Sequence, residues 1–369
     1  MKLVYIISDI NKAITFEWLA EAFAVTDIEV HFLILNPGGS HLETWLREHH
    51  YSVKRIHCAG KLSFPKAFIE TFFYLKKLKP DVVHCHLQKA CLIGLTAAYL
   101  LRVPKRIHTR HHSSLHHVYF PKGIWLDKYF NFISTHVVAI SSIVKEILVE
   151  WEKVPEKKVV LIHHGLKFDD YAEVSEARKE VIREKYSLQQ HTPIVGVVSR
   201  FSEWKGVQYI VPAFQNFLKE YPQAVLLLFN GFGDYSEEIQ KLLKSLPESS
   251  YRVIAFENDM QAAYKIMDLF IHVPIDHHSE AFGQVYVEAL VVGVPSIFTL
   301  SGIAYEFFNN RINAYIVSYK NSDEIEGAMY QVVQGLSDVR INAKINQNIV
   351  SELFSLEKMV GRLYNLYNS

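Results

Sequence analysis

Two glutamates, Glu280 and Glu288, stand eight positions apart in the run Ser279-Glu280-Ala281-Phe282-Gly283-Gln284-Val285-Tyr286-Val287-Glu288. Glu280 falls in a loop with Gly283 just behind it, and Glu288 falls where an apolar helix has begun. At about 1.5 Å of rise per residue, eight helical steps span about 12 Å, the reach from a sugar across a diphosphate to a ribose. The helix start between the two acids offers unpaired N–H groups and the positive end of a dipole, both of which favour a diphosphate. The pair, with Phe282 and Gly283 between its members, therefore suits a nucleotide sugar. A helix-capping glutamate followed by a solvated one would leave the same trace in the sequence.

A second constellation lies upstream, in Ser199-Arg200-Phe201-Ser202-Glu203-Trp204-Lys205-Gly206. Arg200 and Lys205 follow an apolar strand and precede a helix, where fixed cations can stabilise the charge that develops on a diphosphate leaving group. Asn230-Gly231-Phe232-Gly233 follows the next strand, and Gly231 there permits close backbone approach to a ligand or simply makes a tight turn. Ser301 and Gly302, after a further strand, are candidate amide donors to phosphate. In the first half, His108-Thr109-Arg110-His111-His112-Ser113-Ser114-Leu115-His116-His117 is a histidine cluster. Alternation along a strand over Arg106 to His111 puts neighbouring side chains on opposite faces. Neither a His-Glu-x-x-His motif nor a cysteine pair accompanies it, so no metal site is expected. His111 is expected at the strand's carboxyl end, facing a cleft where it can hydrogen-bond a sugar, with His86 closing a neighbouring strand.

These residues need strand ends to stand on. Apolar, β-branched runs recur at Leu3 to Ile7, Val30 to Leu35, Val82 to Cys85, Ile107 to Arg110, Val137 to Ile140 and Val159 to Ile162. A second set covers Ile194 to Ser199, Val225 to Asn230, Arg252 to Ala255, Leu269 to Val273 and Ser296 to Thr299, with helices near Val207 to Lys219, near Glu237 to Lys244 and from about Gly283. Strands alternating with amphipathic stretches make an α/β protein with parallel sheets. The pattern predicts two doubly wound, Rossmann-like domains: residues 1–170, a charged linker over 171–191, residues 192–345, and a C-terminal helix over 346–369 that packs back on the first domain. Ligands bind at the carboxyl ends of such strands, so two domains facing each other would define a central cleft.

The 369 residues carry 39 Lys and Arg against 39 Asp and Glu, but residues 1–190 hold 26 cations against 20 acids. A basic half suits an anionic partner such as a membrane surface or a charged acceptor. Two stretches mix aromatics with cations as membrane-interface segments do: Ser63 to Lys79, and His117 to Phe132 with Trp125 and Lys128. No segment is long and apolar enough to span a bilayer. The N-terminus reads as a first strand rather than a signal peptide. Three cysteines, Cys58, Cys85 and Cys91, suit reduced thiols in a cytoplasmic protein. A Gly-x-Gly-x-x-Gly after the first strand is missing, which argues against a dehydrogenase.

Taken together and in this order, the motifs resemble glycosyltransferase family 4, the retaining group 1 glycosyl transferases of GT-B fold. The resemblance is strongest from Ile194 to Val317, and Glu280 with Glu288 matches the family's Glu-x7-Glu element. It implies that Glu280 lies beside the donor sugar, that Glu288 binds the ribose, and that Arg200 and Lys205 hold the diphosphate. His111, in Thr109-Arg110-His111, matches the family's Thr-x-His, whose histidine contacts the donor sugar; His112 is the alternative. The implied activity is metal-independent transfer from a UDP- or GDP-sugar to a glycan or lipid-linked acceptor, as in surface polysaccharide or lipopolysaccharide synthesis. No cofactor or nucleic acid is implied, and peripheral contact with the inner face of the cytoplasmic membrane is compatible with it. The chain departs from the family in the loop Ser8-Asp9-Ile10-Asn11, where a Gly-Gly pair is usual, in His164-Gly165 for Asn-Gly, and in an extra residue within Ser301 to Glu306. A nucleotide-sugar epimerase and a non-catalytic nucleotide-sugar-binding module are the competing readings.

Overall fold

In the computed structural model the chain divides into two units, residues 1–166 with 356–369, and residues 167–355. The described residues are 1–168, 171, 174–309, 314–335 and 343–369, and side chains at 307–309 and 343–346 are outside the description.

The first unit is built on a seven-stranded sheet, all of whose neighbours are parallel: β1 (Lys2–Ser8), β2 (Glu29–Asn36), β3 (Ser52–His57), β4 (Val82–His86), β5 (Lys105–Arg110), β6 (His136–Ala139) and β7 (Val159–Leu161). Their order is β3-β2-β1-β4-β5-β6-β7, so the winding reverses between β1 and β4. Residues Leu3 to Ile7 are wholly buried, as expected of a central strand covered on both faces. One face packs Tyr5, Phe16, Phe23 and Phe32 with Met359, Leu363 and Tyr367. The other packs Val4, Ile6, Cys85, Cys91 and Phe130.

The second unit repeats the plan with six parallel strands: β8 (Ile194–Val198), β9 (Val225–Phe229), β10 (Tyr251–Ile254), β11 (Leu269–His272), β12 (Ser296–Phe298) and β13 (Tyr315–Ile316). The order β10-β9-β8-β11-β12-β13 puts its reversal between β8 and β11. Strand ends on either side of such a reversal diverge and leave a crevice, the usual ligand position in this topology.

Three expectations need correction. β3 and β13 went unpredicted: β3 is an edge strand of sequence Ser-Val-Lys-Arg-Ile-His with only Ile56 buried, and β13 has two residues. The segment 171–191 falls in the second unit rather than between units. Its helix Glu176–Lys185 buries only Ile182, so it looks like a linker by hydropathy, yet polar bonds tie it down. Arg178 grips Asp259 with two bonds of 2.6 and 2.8 Å, and Lys185 and Tyr186 both donate to Glu257 at 2.7 and 2.5 Å. The C-terminal segment is two helices. Ala343–Phe354 belongs to the second unit and Leu356–Asn368 to the first, divided at Ser355.

Candidate functional site

In the second unit the sequence after β8 turns through Arg200 and Lys205 into the helix Val207–Phe217. Gly206 makes that turn possible. Its φ is +76°, and a Cβ there would sit 1.9 Å from the carbonyl oxygen of Val273, just past β11. Only glycine allows the Lys205 loop to lie so close to the neighbouring strand end. The result is an ion pair: Lys205 Nζ donates to Glu280 Oε2 at 2.5 Å, with both side chains largely buried. His272, the last residue of β11, places Nε2 3.1 Å from the same oxygen. Burial pushes the Glu280 carboxyl pKa up, but the Lys205 charge and the His272 contact outweigh it and hold the group well below its ordinary range. Burial also lowers the His272 pKa against the opposing pull of Glu280. Glu280 is thus an anion with Lys205 as its counter-charge, and not a helix cap.

The loop carrying Glu280 is fixed from below. The Glu280 N–H donates to Ser301 Oγ at 3.0 Å, and the Ser301 hydroxyl donates to the His277 carbonyl at 3.3 Å. Ser301 is fully buried and its own N–H is taken by Thr299. Ser301 therefore holds the Glu280 loop in place and offers no amide to a ligand, correcting the expectation above. Gly302, adjoining it at φ +57°, remains the amide candidate of that pair. Phe282 is buried with its ring edge-on to Phe354 at 5.6 Å, and its carbonyl accepts the Ile303 N–H at 3.1 Å, so its side chain serves the packing of the loop.

Gly283 ends the loop in a left-handed conformation and the helix Gln284–Val292 begins. Glu288 lies on its second turn, half-buried, and is fully engaged. Tyr264 donates to Oε2 at 2.9 Å, while Gln284 and Tyr171 donate to Oε1 at 2.8 and 3.2 Å. Burial raises its pKa although all three hydrogen bonds pull the other way. Two carboxyls eight residues apart thus sit in opposite environments, one charge-paired and one held by neutral donors.

Arg200 is exposed, and among the described residues no carboxylate pairs with it. Its charge is available to solvent or a ligand. The second glycine loop has a different job from the one considered above. The Gly231 N–H is bonded to the Ile254 carbonyl at 3.1 Å, and a Cβ on Gly233 would lie 2.2 Å from the Phe201 carbonyl oxygen. Phe201 and Tyr235 bonds at 2.8 and 2.9 Å close that contact. The glycines let one loop lie against the Arg200–Phe201 turn and so brace it.

In the first unit, the carboxyl ends of β4 and β5 bring His86 and His111 together, with His86 Nδ1 3.0 Å from His111 Nε2. The His111 ring stacks on His164 at 5.4 Å. Beneath them His84 bridges Tyr367 Oη at 2.7 Å and Thr109 Oγ1 at 2.8 Å, and Tyr367 meets Tyr5 at 2.7 Å. His84, His86, His111, His164, Thr109 and Tyr5 line a cavity of about 120 Å³ together with Phe16, Ile140 and Met359. Burial, then neighbouring histidines, lowers the pKa of both His86 and His111. They are neutral imidazoles near pH 7, hydrogen-bond partners rather than cations. The Gly-Gly departure after β1 is structurally absorbed: Asp9 takes φ +52° and receives Lys89 Nζ at 2.6 Å.

Neighbouring residues of the histidine run behave differently. Arg110 is buried between Asp127, 3.0 Å away, and Glu152. His117 and Asn131 also meet Glu152, at 3.1 and 2.7 Å. His116 Nδ1 lies 2.6 Å from Asp127 Oδ2 and His112 Nε2 3.4 Å from Asp127 Oδ1. The alternation argument fails for this group because β5 ends at Arg110. Beyond it, His112 lies in a loop, His116 is in the short helix Leu115–Val118, and Asp127 comes from the helix Gly123–Ile133. Asp127 and Glu152 carry no sequence motif. For His272, a polar residue closing the buried run Leu269-Phe270-Ile271 was an available signal.

Family models match almost the whole chain in two parts. Residues 15–170 match Glycosyltransferase Family 4, and residues 178–347 match Glycosyl transferases group 1. The capsular polysaccharide biosynthesis glycosyltransferase CapM of Staphylococcus aureus is 23% identical over 352 residues, covering 93% of this chain and 90% of that protein. An Escherichia coli UDP-Gal:alpha-D-GlcNAc-diphosphoundecaprenol alpha-1,3-galactosyltransferase is 22% identical over 315 residues, 82% of this chain and 79% of the relative. In fold, Anabaena HepE in complex with UDP-glucose superposes with a TM-score of 0.85 at 18% identity, covering 100% of this chain and 99% of that one. WaaG, a glycosyltransferase of lipopolysaccharide biosynthesis, gives 0.74 at 12% identity, with 100% of this chain and 99% of that chain covered. The fold is therefore of the GT-B type these proteins share.

Proposed function

This chain belongs to glycosyltransferase family 4, the group 1 glycosyl transferases, and from that membership we propose that it is a retaining enzyme transferring a sugar from a nucleoside-diphosphate sugar to a glycan or lipid-linked acceptor. The observation that carries the reading is the buried Lys205–Glu280 pair at the β8/β11 reversal, beside the start of the helix Gln284–Val292. Lys205 and Arg200 stabilise the departing diphosphate, the amides opening the helix add their dipole, and Glu280 faces the sugar. Glu288 exchanges its present donors for the ribose hydroxyls. As the bond from the anomeric carbon to phosphate breaks, the acceptor oxygen bonds that carbon from the same face. The acceptor proton passes to the leaving phosphate, so the side chains position and neutralise rather than supply a base. His111, with His86 behind it, hydrogen-bonds the transferred sugar. The UDP-glucose complex of HepE supports a UDP-sugar donor, and CapM and the galactosyltransferase support a surface-glycan acceptor.

The test is a thermal-shift screen against UDP-, GDP-, ADP- and CMP-sugars, followed by product analysis with and without acceptor. A donor present at 100 times its Kd should stabilise by about 2.7 kcal/mol through mass action. A protein unmoved by any of the four would refute the reading, and formation of a sugar isomer without acceptor would favour an epimerase.

Peripheral attachment at the inner face of the cytoplasmic membrane belongs to the same proposal. Among the described residues no helix is long and apolar enough to cross a membrane. The helix Gly123–Ile133 turns Asp127, Phe130 and Asn131 inward and leaves Trp125 75% and Phe132 74% exposed. Lys128 lies between them on the outer face, its ammonium 5.4 Å from the Trp125 ring. Aromatics flanking a cation suit an anionic lipid surface. Vesicle sedimentation should show binding to anionic but not neutral bilayers. At about 1.5–3 kcal/mol per buried aromatic side chain, Trp125→Ser and Phe132→Ser should each weaken binding by about tenfold to a hundredfold. Unchanged affinity in both variants would remove the membrane from the account.

A further inference from the structure

We propose that His112, His116 and Asp127 form a divalent-metal site, of zinc-binding character, in the first unit. One nitrogen from each imidazole and one oxygen of the carboxylate lie within 4.8 Å of one another. They border a cavity of about 290 Å³ whose other walls include Cys91, Leu115 and Phe130. Two imidazole nitrogens and a carboxylate oxygen are a donor set that zinc takes, with a fourth position left for water or an oxygen ligand. The histidines can move onto a metal at small cost, since His112 is 24% and His116 13% exposed whereas Asp127 is anchored at 3%.

The surroundings also call for a cation. Two buried carboxylates, Asp127 and Glu152, share one guanidinium, that of Arg110, and a buried surplus of negative charge is costly. Arg110 approaches Asp127 on Oδ2, while Oδ1 faces His112. The Nδ1 atom of His112 is buried and has no hydrogen-bond partner among the described residues, so this ring is not committed to a closed network. Arg110 pairs with the Asp127 carboxylate, as supporting residues do around metal ligands, and Glu152 holds Arg110 from the far side. The site shares no residue with the donor machinery proposed above, and its failure would leave that reading untouched.

The experiment is Co²⁺ and Zn²⁺ titration of chelator-treated full-length protein, reading visible ligand-field absorption and competition against a chromogenic chelator. One equivalent should bind. His112→Ala and His116→Ala should each weaken affinity by more than about a hundredfold, beyond the effect of losing a supporting residue. His117→Ala, which touches Glu152 instead, should bind nearly as the parent does. Circular dichroism checks that the variants are folded, and because both histidines are partly exposed their loss should leave the fold intact. Absence of a cobalt band at stoichiometric metal, or affinity in both alanine variants equal to that of the parent protein, would overturn the proposal.

Discussion

Lys205→Ala should lower turnover by about 10²–10³-fold, the usual loss when one group stabilising transition-state charge is removed, while the protein stays folded. Lys205 is the one side chain that both neutralises Glu280 and, in the proposed reaction, meets the departing phosphate. Without it, among the described residues, the Glu280 carboxylate keeps His272 as its side-chain partner, and burial then pushes its pKa upward. The variant loses the phosphate counter-charge and also gains a pH dependence, because a protonated Glu280 appears as pH falls toward the raised value. Transfer rates across pH, with melting temperature measured alongside, check both parts. A rate within a few-fold of the parent would show that the pair is structural.

Glu152→Ala should be the most destabilising of the substitutions considered, by about 3–5 kcal/mol, the range found when one partner of a buried charge pair is removed. Glu152 has no exposed side-chain surface, and Arg110, His117 and Asn131 all direct polar groups at it. Alanine strands those groups and leaves a void. Chemical denaturation gives the value directly. Retained stability would show that Asp127 and the His112 carbonyl suffice to satisfy Arg110.

Much of this molecule can be read from its residues because buried parallel strands leave continuous apolar runs. β1, β8 and β9 are of that kind, with every residue of β8 and β9 buried. β3 could not be read, since an edge strand is free to alternate with lysine and arginine, and β13 is too short to leave a pattern. The helix Glu176–Lys185 hid for a related reason: charged bonds, not apolar burial, hold it. At the candidate site, spacing along the chain singled out Glu280, Glu288, Arg200 and Lys205 as candidates. It could not show that Lys205 and Glu280, separated by 75 positions, are bonded to each other. Nor could it show that Ser301 spends its amide on Thr299. Those facts depend on strand order, which brings β8 beside β11.

The helix Leu356–Asn368 places a constraint on how the chain is made. It supplies Met359, Leu363 and Tyr367 to a core whose other members lie mostly before residue 166. Tyr367 closes the hydrogen bonds of Tyr5 and His84 directly below the paired histidines. During synthesis the amino-terminal sheet must therefore wait, one face only partly covered, while the ribosome makes all of residues 167–355. A nascent chain arrested before residue 356 would carry a finished second sheet and a first whose histidine cavity lacks the Met359 and Leu363 part of its wall.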